Sequence, residues 1–230
     1  MFKDFKIDLG GFSDFKLNIF EEFTSRYVKP PVSNDIDEKL LKYSDAKKLA
    51  DQLILKKNER FFCIVNGSFI FGDFIEAFVV KNNYHIKSMT ISTLSMSENN
   101  VDSLANLING NYVDELNLIV SDYFYSHERQ NLIPYIYKEL DKDNKFQLAI
   151  AGTHCKTCIF ETYNNGFVAI HGSANLRSSA NIEQFVIEES ESLYLFNKEY
   201  QDNIIKKFKT INKAIRGKQL WHQVVHSTQA

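Results

Sequence analysis

From Arg60 to about residue 140, strand-like and helix-like segments take turns, and this alternation constrains the fold more than any other feature of the chain. Phe61 to Val65 is a compact apolar run, a helical stretch follows and ends near Asn82, Ile86 to Leu94 reads as a second strand, and Val101 to Ile108 has helical spacing. Leu116 to Val120 is a third strand and Leu132 to Leu140 another helix. Continuous apolar strands separated by helices, at roughly thirty-residue intervals, predict an α/β domain with a largely parallel, buried sheet and helices over both faces. After that the rhythm changes. Phe146 to Ile150, Lys156 to Phe160, Phe167 to Ile170 and Ile182 to Ile187 are strand-like with short connections, and Asn164-Asn165-Gly166 is a tight-turn signal between two of them. Beyond Ser192, the apolar positions Leu193, Phe196, Tyr200, Ile204, Ile205 and Phe208 return to helical spacing.

The ends of the chain read differently. Phe5-Ile7-Leu9 and Phe15-Leu17-Ile19 alternate around a turn-rich Gly10 to Asp14, which predicts a β-hairpin. Pro30-Pro31 breaks the chain, and Ser44 can cap a helix with Ala46, Leu49, Ala50, Leu53 and Ile54 on one face. This predicts an N-terminal extension over residues 1–57, an α/β domain over 58–205 and a basic helix or tail over 206–230. Residues 203–230 hold six Lys or Arg and no acid, which leaves about −8 on the remainder of a chain whose net charge is −2. Such a run either attracts a polyanion or is a solvated basic helix. No run of eighteen apolar residues occurs, and Met1 to Gly10 lack the pattern of a signal peptide, so a cytoplasmic protein with no membrane partner is expected. Cys63, Cys155 and Cys158 do not form a secreted disulfide framework, so a reducing compartment fits.

The chemistry concentrates between Thr153 and Glu183. On a strand, residues two apart point the same way, so His154 and Lys156 would present an imidazole and an ammonium to one point. That pairing suits a phosphate: a neutral histidine can attack phosphorus, and lysine offsets charge on the non-bridging oxygens. The spacing alone is weak, because six histidines and about one lysine per ten residues give about half a His-x-Lys by chance. His85-Ile86-Lys87 has that spacing with nothing after it and reads as surface. His154-x-Lys156 is distinguished by Gly172-Ser173-x-Asn175 and Asn181-x-Glu183 downstream.

The order His154-x-Lys156-x4-Glu161, Gly172-Ser173-x-Asn175, Asn181-x-Glu183 resembles the HKD motif and its following elements in the phospholipase D-like phosphodiesterase superfamily. The match spans about thirty residues, and the phrase Gly-Ser-Ala-Asn-Leu-Arg looks like that of small single-motif members from bacteria and their phages. The resemblance implies a mixed α/β sheet flanked by helices and a catalytic set of His154, Lys156, Ser173, Asn175 and Glu183. In it His154 forms a phosphohistidine, Lys156 and Asn175 hold phosphate oxygens with support from Ser173, and Glu183 orients the imidazole. It implies a homodimer that brings two copies of His154 together, with no metal and no cofactor. It also points to a nuclease acting on DNA or RNA in a bacterial or phage-infected cytoplasm.

One position departs from the family pattern, which ends in Asp where this chain has Glu161. Seven residues is an odd step along a strand, so Glu161 should not share the face of His154 and a supporting role is expected. His171 and Arg177 flank the Gly-Ser-x-Asn element and are candidates for phosphate or substrate binding, and a structural role is the ordinary alternative for His171. Cys155-x-x-Cys158 would place its thiols on opposite sides of a strand, against a metal or redox pair. Phe69, Phe71 and Phe74 fit core packing better than base stacking. Two other readings stay open: a non-catalytic nucleic-acid-binding or virion-associated structural protein that keeps the fold, favoured by the N-terminal hairpin and proline linker, and a phospholipid-directed transferase.

Overall fold

Three parallel and four antiparallel pairings join eight strands into one sheet, among the residues that the computed structural model describes, 37–43, 45–65, 69–177 and 181–211. In chain order the elements are β1 (Asp37–Tyr43), α1 (Ala46–Gln52), β2 (Glu59–Val65), α2 (Phe71–Lys81), β3 (Ile86–Thr93), α3 (Glu98–Asn109) and β4 (Leu116–Ser121). They continue with α4 (Asp122–Glu128), α5 (Leu132–Leu140), β5 (Phe146–Ala151), β6 (Thr157–Thr162), β7 (Phe167–Gly172), β8 (Glu183–Glu189) and α6 (Glu191–Phe208). The anticipated hairpin, the proline linker and the end of the basic tail lie outside the described residues. β1 and α1 come from the segment read as an extension, and β1 pairs in parallel with β2 as the outer strand of this sheet. The cap of α1 is Asp45, which accepts from the Lys48 N–H, and Leu53 and Ile54 lie beyond the helix.

The sheet runs β1-β2-β8-β7-β6-β3-β4-β5. Mixed α/β architecture agrees with the sequence, whereas a largely parallel sheet does not. The reason is the length of one connection. Residues 152–156 are too few to return the chain to the far end of the sheet, so β6 starts where β5 stops and runs antiparallel to β3. The hairpin β6–β7 and the antiparallel β8 then fill the gap between β3 and β2.

On one face, α1, α2, α3 and α5 bury the main core against inward-facing positions such as Phe61, Met89, Leu118, Phe160 and Ile187. Phe69, Phe71 and Phe74 are buried there, and Phe185 sits with its ring centroid 5.2 Å from Phe71 and 4.9 Å from Phe74, so these aromatics are core. A buried phenylalanine contributes on the order of 2 kcal/mol by removal from water. Helix α6 lies on the other face, where Tyr194 packs with Ile159 and Ala169. Helices therefore touch both faces, but the second carries α6 alone among the described residues, and Ile64 of β2 stays 44% exposed there.

Candidate active site

Strand direction gathers the candidate residues at one edge of the sheet. Ser92 of β3 pairs with Thr157, Thr157 with His171, and Gly172 with Phe185, so β3 and β7 end where β6 and β8 begin. Ser121 pairs with Ala151, so β4 and β5 end there too. His154, Lys156, Ser173 and Asn175 follow or precede strands at this edge, and Glu183 is the first residue of β8 there.

His154 and Lys156 are not on a strand, contrary to the reading from two-residue spacing; they belong to the connection 152–156. That connection must pass the ends of β4 and β3, three strand spacings or about 14 Å, with a reach of about 20 Å for six extended steps. It therefore runs across those ends, with His154 at its middle and exposed. Lys156 folds back so that Nζ donates to the His154 carbonyl at 3.1 Å, which holds the ammonium beside the histidine. The segment is tied down by Cys155 N–H donating to Thr153 Oγ1 at 3.1 Å and Gly172 N–H donating to the Lys156 carbonyl at 3.2 Å. From beneath, buried Gln201 of α6 donates to Thr157 Oγ1 at 2.7 Å, and burial pushes the neighbouring Tyr200 phenol up to about 12.

Gly172 explains part of the Gly-Ser-x-Asn element. A Cβ at this position would lie 2.6 Å from Phe185 Cα and closer still to the Gln184 carbonyl oxygen, so only glycine lets β7 approach β8 here. The approach sets Ser173, whose N–H donates to the Gln184 carbonyl at 2.8 Å and whose Oγ accepts from the Gln184 N–H at 3.0 Å. Ser173 Oγ donates to the Glu183 carboxylate. The hydrogen bond given to Glu183 thus comes from Ser173. Asn175 is anchored to the end of β3: Oδ1 accepts from the Leu94 N–H at 3.3 Å and from Thr93 Oγ1 at 3.5 Å, leaving the amide nitrogen to donate elsewhere. The Thr93 hydroxyl also accepts from the Leu176 N–H at 3.2 Å, locking the loop to the strand.

The remaining candidates separate from this group. Glu161 lies at the far end of β6, where Lys87 Nζ binds it at 2.9 Å. The lysine of the decoy His85-x-Lys87 is therefore the partner of the one residue that departs from the family pattern. Both stand at the edge opposite the site, and His85 is exposed, as expected of a surface residue. His171 Nε2 stands 3.7 Å from Oε1 of Glu188, whose side chain is 2% exposed, and Arg60 Nε donates to Oε2 at 2.9 Å. Burial pushes the Glu188 carboxyl up, but the His171 and Arg60 side chains outweigh it and hold the group below its ordinary value. The Arg60–Glu188 pair on β2 and β8, which sequence reasoning missed, gives His171 a structural neighbour; no spacing rule links two residues that distant. Arg177 is exposed directly after Leu176. Cys155 is exposed while Cys158 is buried, so the two thiols do not converge. Among the described residues, no three His, Cys, Asp or Glu form a metal-holding group, and no helix is long and apolar enough to cross a membrane.

Neither a family model nor a curated protein matches the chain. Among solved structures, the chain is similar to Nuc from Salmonella typhimurium, a phospholipase D family member, at 16% identity and a TM-score of 0.47 over 65% of this chain and 97% of that one. It is similar to NucT from Helicobacter pylori at 15% identity and a TM-score of 0.45, over 56% of this chain and 86% of that one. It is also similar to phosphatidylserine synthase from Haemophilus influenzae, at 14% identity and a TM-score of 0.48, over 67% and 40% of the respective chains.

Proposed function

We propose that this protein is a metal-independent phosphodiesterase of the phospholipase D-like type, a nuclease that works through a phosphohistidine at a site shared by two copies of the chain. The observation that carries this reading is the meeting at one sheet edge of the His154–Lys156 crossing, the Ser173–Glu183 pair and the Asn175 amide. In this reading a phosphate at that edge would meet an ammonium, an amide donor and an imidazole, donors that stabilise the negative charge developing in the transition state. The His154 imidazole attacks phosphorus, an N–P bond forms, and the bond from phosphorus to the leaving oxygen breaks. The partner subunit's His154 gives that oxygen its proton and then accepts one from the water that cleaves the N–P bond. Lys156 and Asn175 hold the non-bridging oxygens, Ser173 supports them, and Glu183 is the carboxylate available to orient an imidazole. Arg177, exposed after Leu176, would take a neighbouring phosphate. The preference for nucleic acid rests on the resemblance to small single-motif members and on the basic run over residues 203–230.

The test is incubation of the protein with plasmid DNA, RNA and bis-p-nitrophenyl phosphate in excess chelator. Turnover is expected for the natural chain and its loss for His154→Ala and His154→Asn. Undiminished hydrolysis by either variant would end the assignment, and no turnover by the natural chain would leave the non-catalytic reading.

A further inference from the structure

Helix α4 starts at the same sheet edge, immediately after β4, whose last residue Ser121 pairs with Ala151 at the start of the crossing that carries His154. Ser121 sets its direction by donating from Oγ to the Leu94 carbonyl at 2.8 Å and accepting from the Phe124 N–H at 3.0 Å. Leu94 is the residue whose N–H holds Asn175, so the helix and the candidate phosphate site share an anchor. Phe124 and Tyr125 turn into the core. Their neighbour Tyr123 is 66% exposed, and its hydroxyl has no hydrogen-bond partner among the described residues. By contrast, the exposed Tyr163 at the opposite edge donates to Asp114 at 2.5 Å.

The Tyr123 ring is nevertheless held in place. His127, one helical turn on, lies with its ring centroid 4.0 Å from that of Tyr123 at an interplanar angle of 34°. Its Nδ1 is 2.8 Å from the Tyr123 carbonyl, and because a carbonyl oxygen only accepts, Nδ1 carries the hydrogen. One face of the tyrosine is thereby covered and the other is left to solvent, an arrangement that preorganises a flat apolar surface.

We propose that Tyr123, backed by His127, is a stacking platform for a nucleobase beside the phosphate at His154, and that the substrate is single-stranded nucleic acid read without base preference. This rests on the phosphodiesterase reading above. Every base has a π-face, so an aromatic ring grips any of them, but only a base that has left its duplex stack can reach it. The phosphate groups supply the charge and Tyr123 distinguishes a nucleic acid from any other phosphodiester.

The experiment compares hydrolysis of a single-stranded oligonucleotide with that of a fully abasic oligonucleotide of equal length and charge, both in chelator. The natural chain is expected to favour the base-bearing strand in kcat/KM by about tenfold or more, the size of one stacked base. Tyr123→Ala is expected to bring the ratio close to one through KM, and Tyr123→Phe to retain it, since the ring alone carries the effect. A ratio unchanged in Tyr123→Ala, or equal hydrolysis of both strands by the natural chain, overturns the platform alone. Hydrolysis of neither strand overturns the phosphodiesterase reading, and the platform with it.

Discussion

The Leu94 N–H donates to Asn175 Oδ1 at 3.3 Å, so the end of β3 orients the amide of a loop more than eighty residues away in sequence. With the oxygen engaged, the nitrogen is the group that would meet a phosphate in the proposed site. Asn175→Asp keeps an acceptor for Leu94 but replaces a donor with negative charge. Phosphodiester turnover should fall about a hundredfold, the usual cost of one oxyanion donor, with little change in the urea midpoint. Full turnover in this variant would remove Asn175 from the site.

Glu188 links acid sensitivity to the sheet. Its carboxyl is held below its ordinary value of 4.5, so the unfolded chain binds the proton more readily than the folded one. The stability that follows is present above about pH 4.5 and is lost as pH falls through the folded value. Urea midpoints measured between about pH 6 and pH 3 should therefore decline more steeply for the natural chain than for Glu188→Gln. Parallel curves would show that the carboxylate contributes nothing there.

Thiol chemistry separates the three cysteines. Burial pushes Cys63 up to about 12 and Cys158 higher than the ordinary thiol range, while Cys155 is exposed between His154 and Lys156. Iodoacetamide on the folded protein should modify Cys155 first, as read by mass spectrometry, and turnover should fall at the same rate because the adduct stands on the short crossing between His154 and Lys156. Cys155→Ser should resist the reagent.

Gly172→Ala tests the close approach of β7 to β8. The added methyl meets backbone rather than a movable side chain, so the strands must separate. A loss of about 2 kcal/mol or more in denaturant unfolding is expected, together with weakened turnover as Ser173 shifts from Glu183. An alanine variant as stable as the natural chain would mean that the strand pair yields without cost.

Much of the fold can be read along the chain because its signals are local. Ile86 to Leu94 and Leu116 to Val120 are found as β3 and β4 almost to the residue, and Leu132 to Leu140 is α5, since apolar period and length specify an element without reference to its neighbours. The His-x-Lys and Gly-Ser-x-Asn elements are visible for the same reason. The direction of β6 is not visible, because it follows from a connection too short to recross the sheet, and neither is the ion pair of Glu161 with Lys87, which needs β6 beside β3.

The sequence by itself determined most of the strands and helices, though not β1 or α4, and which residue types could serve a phosphate, because side-chain spacing and chemistry travel with the chain. Tertiary structure alone decided that His154 lies on a crossing rather than a strand, that Lys156 returns to its carbonyl, and that Leu94 and Ser121 bring Asn175 and Tyr123 to one edge. Those relations depend on strand order, and strand order is set by how the whole sheet closes its hydrogen bonds and buries its faces.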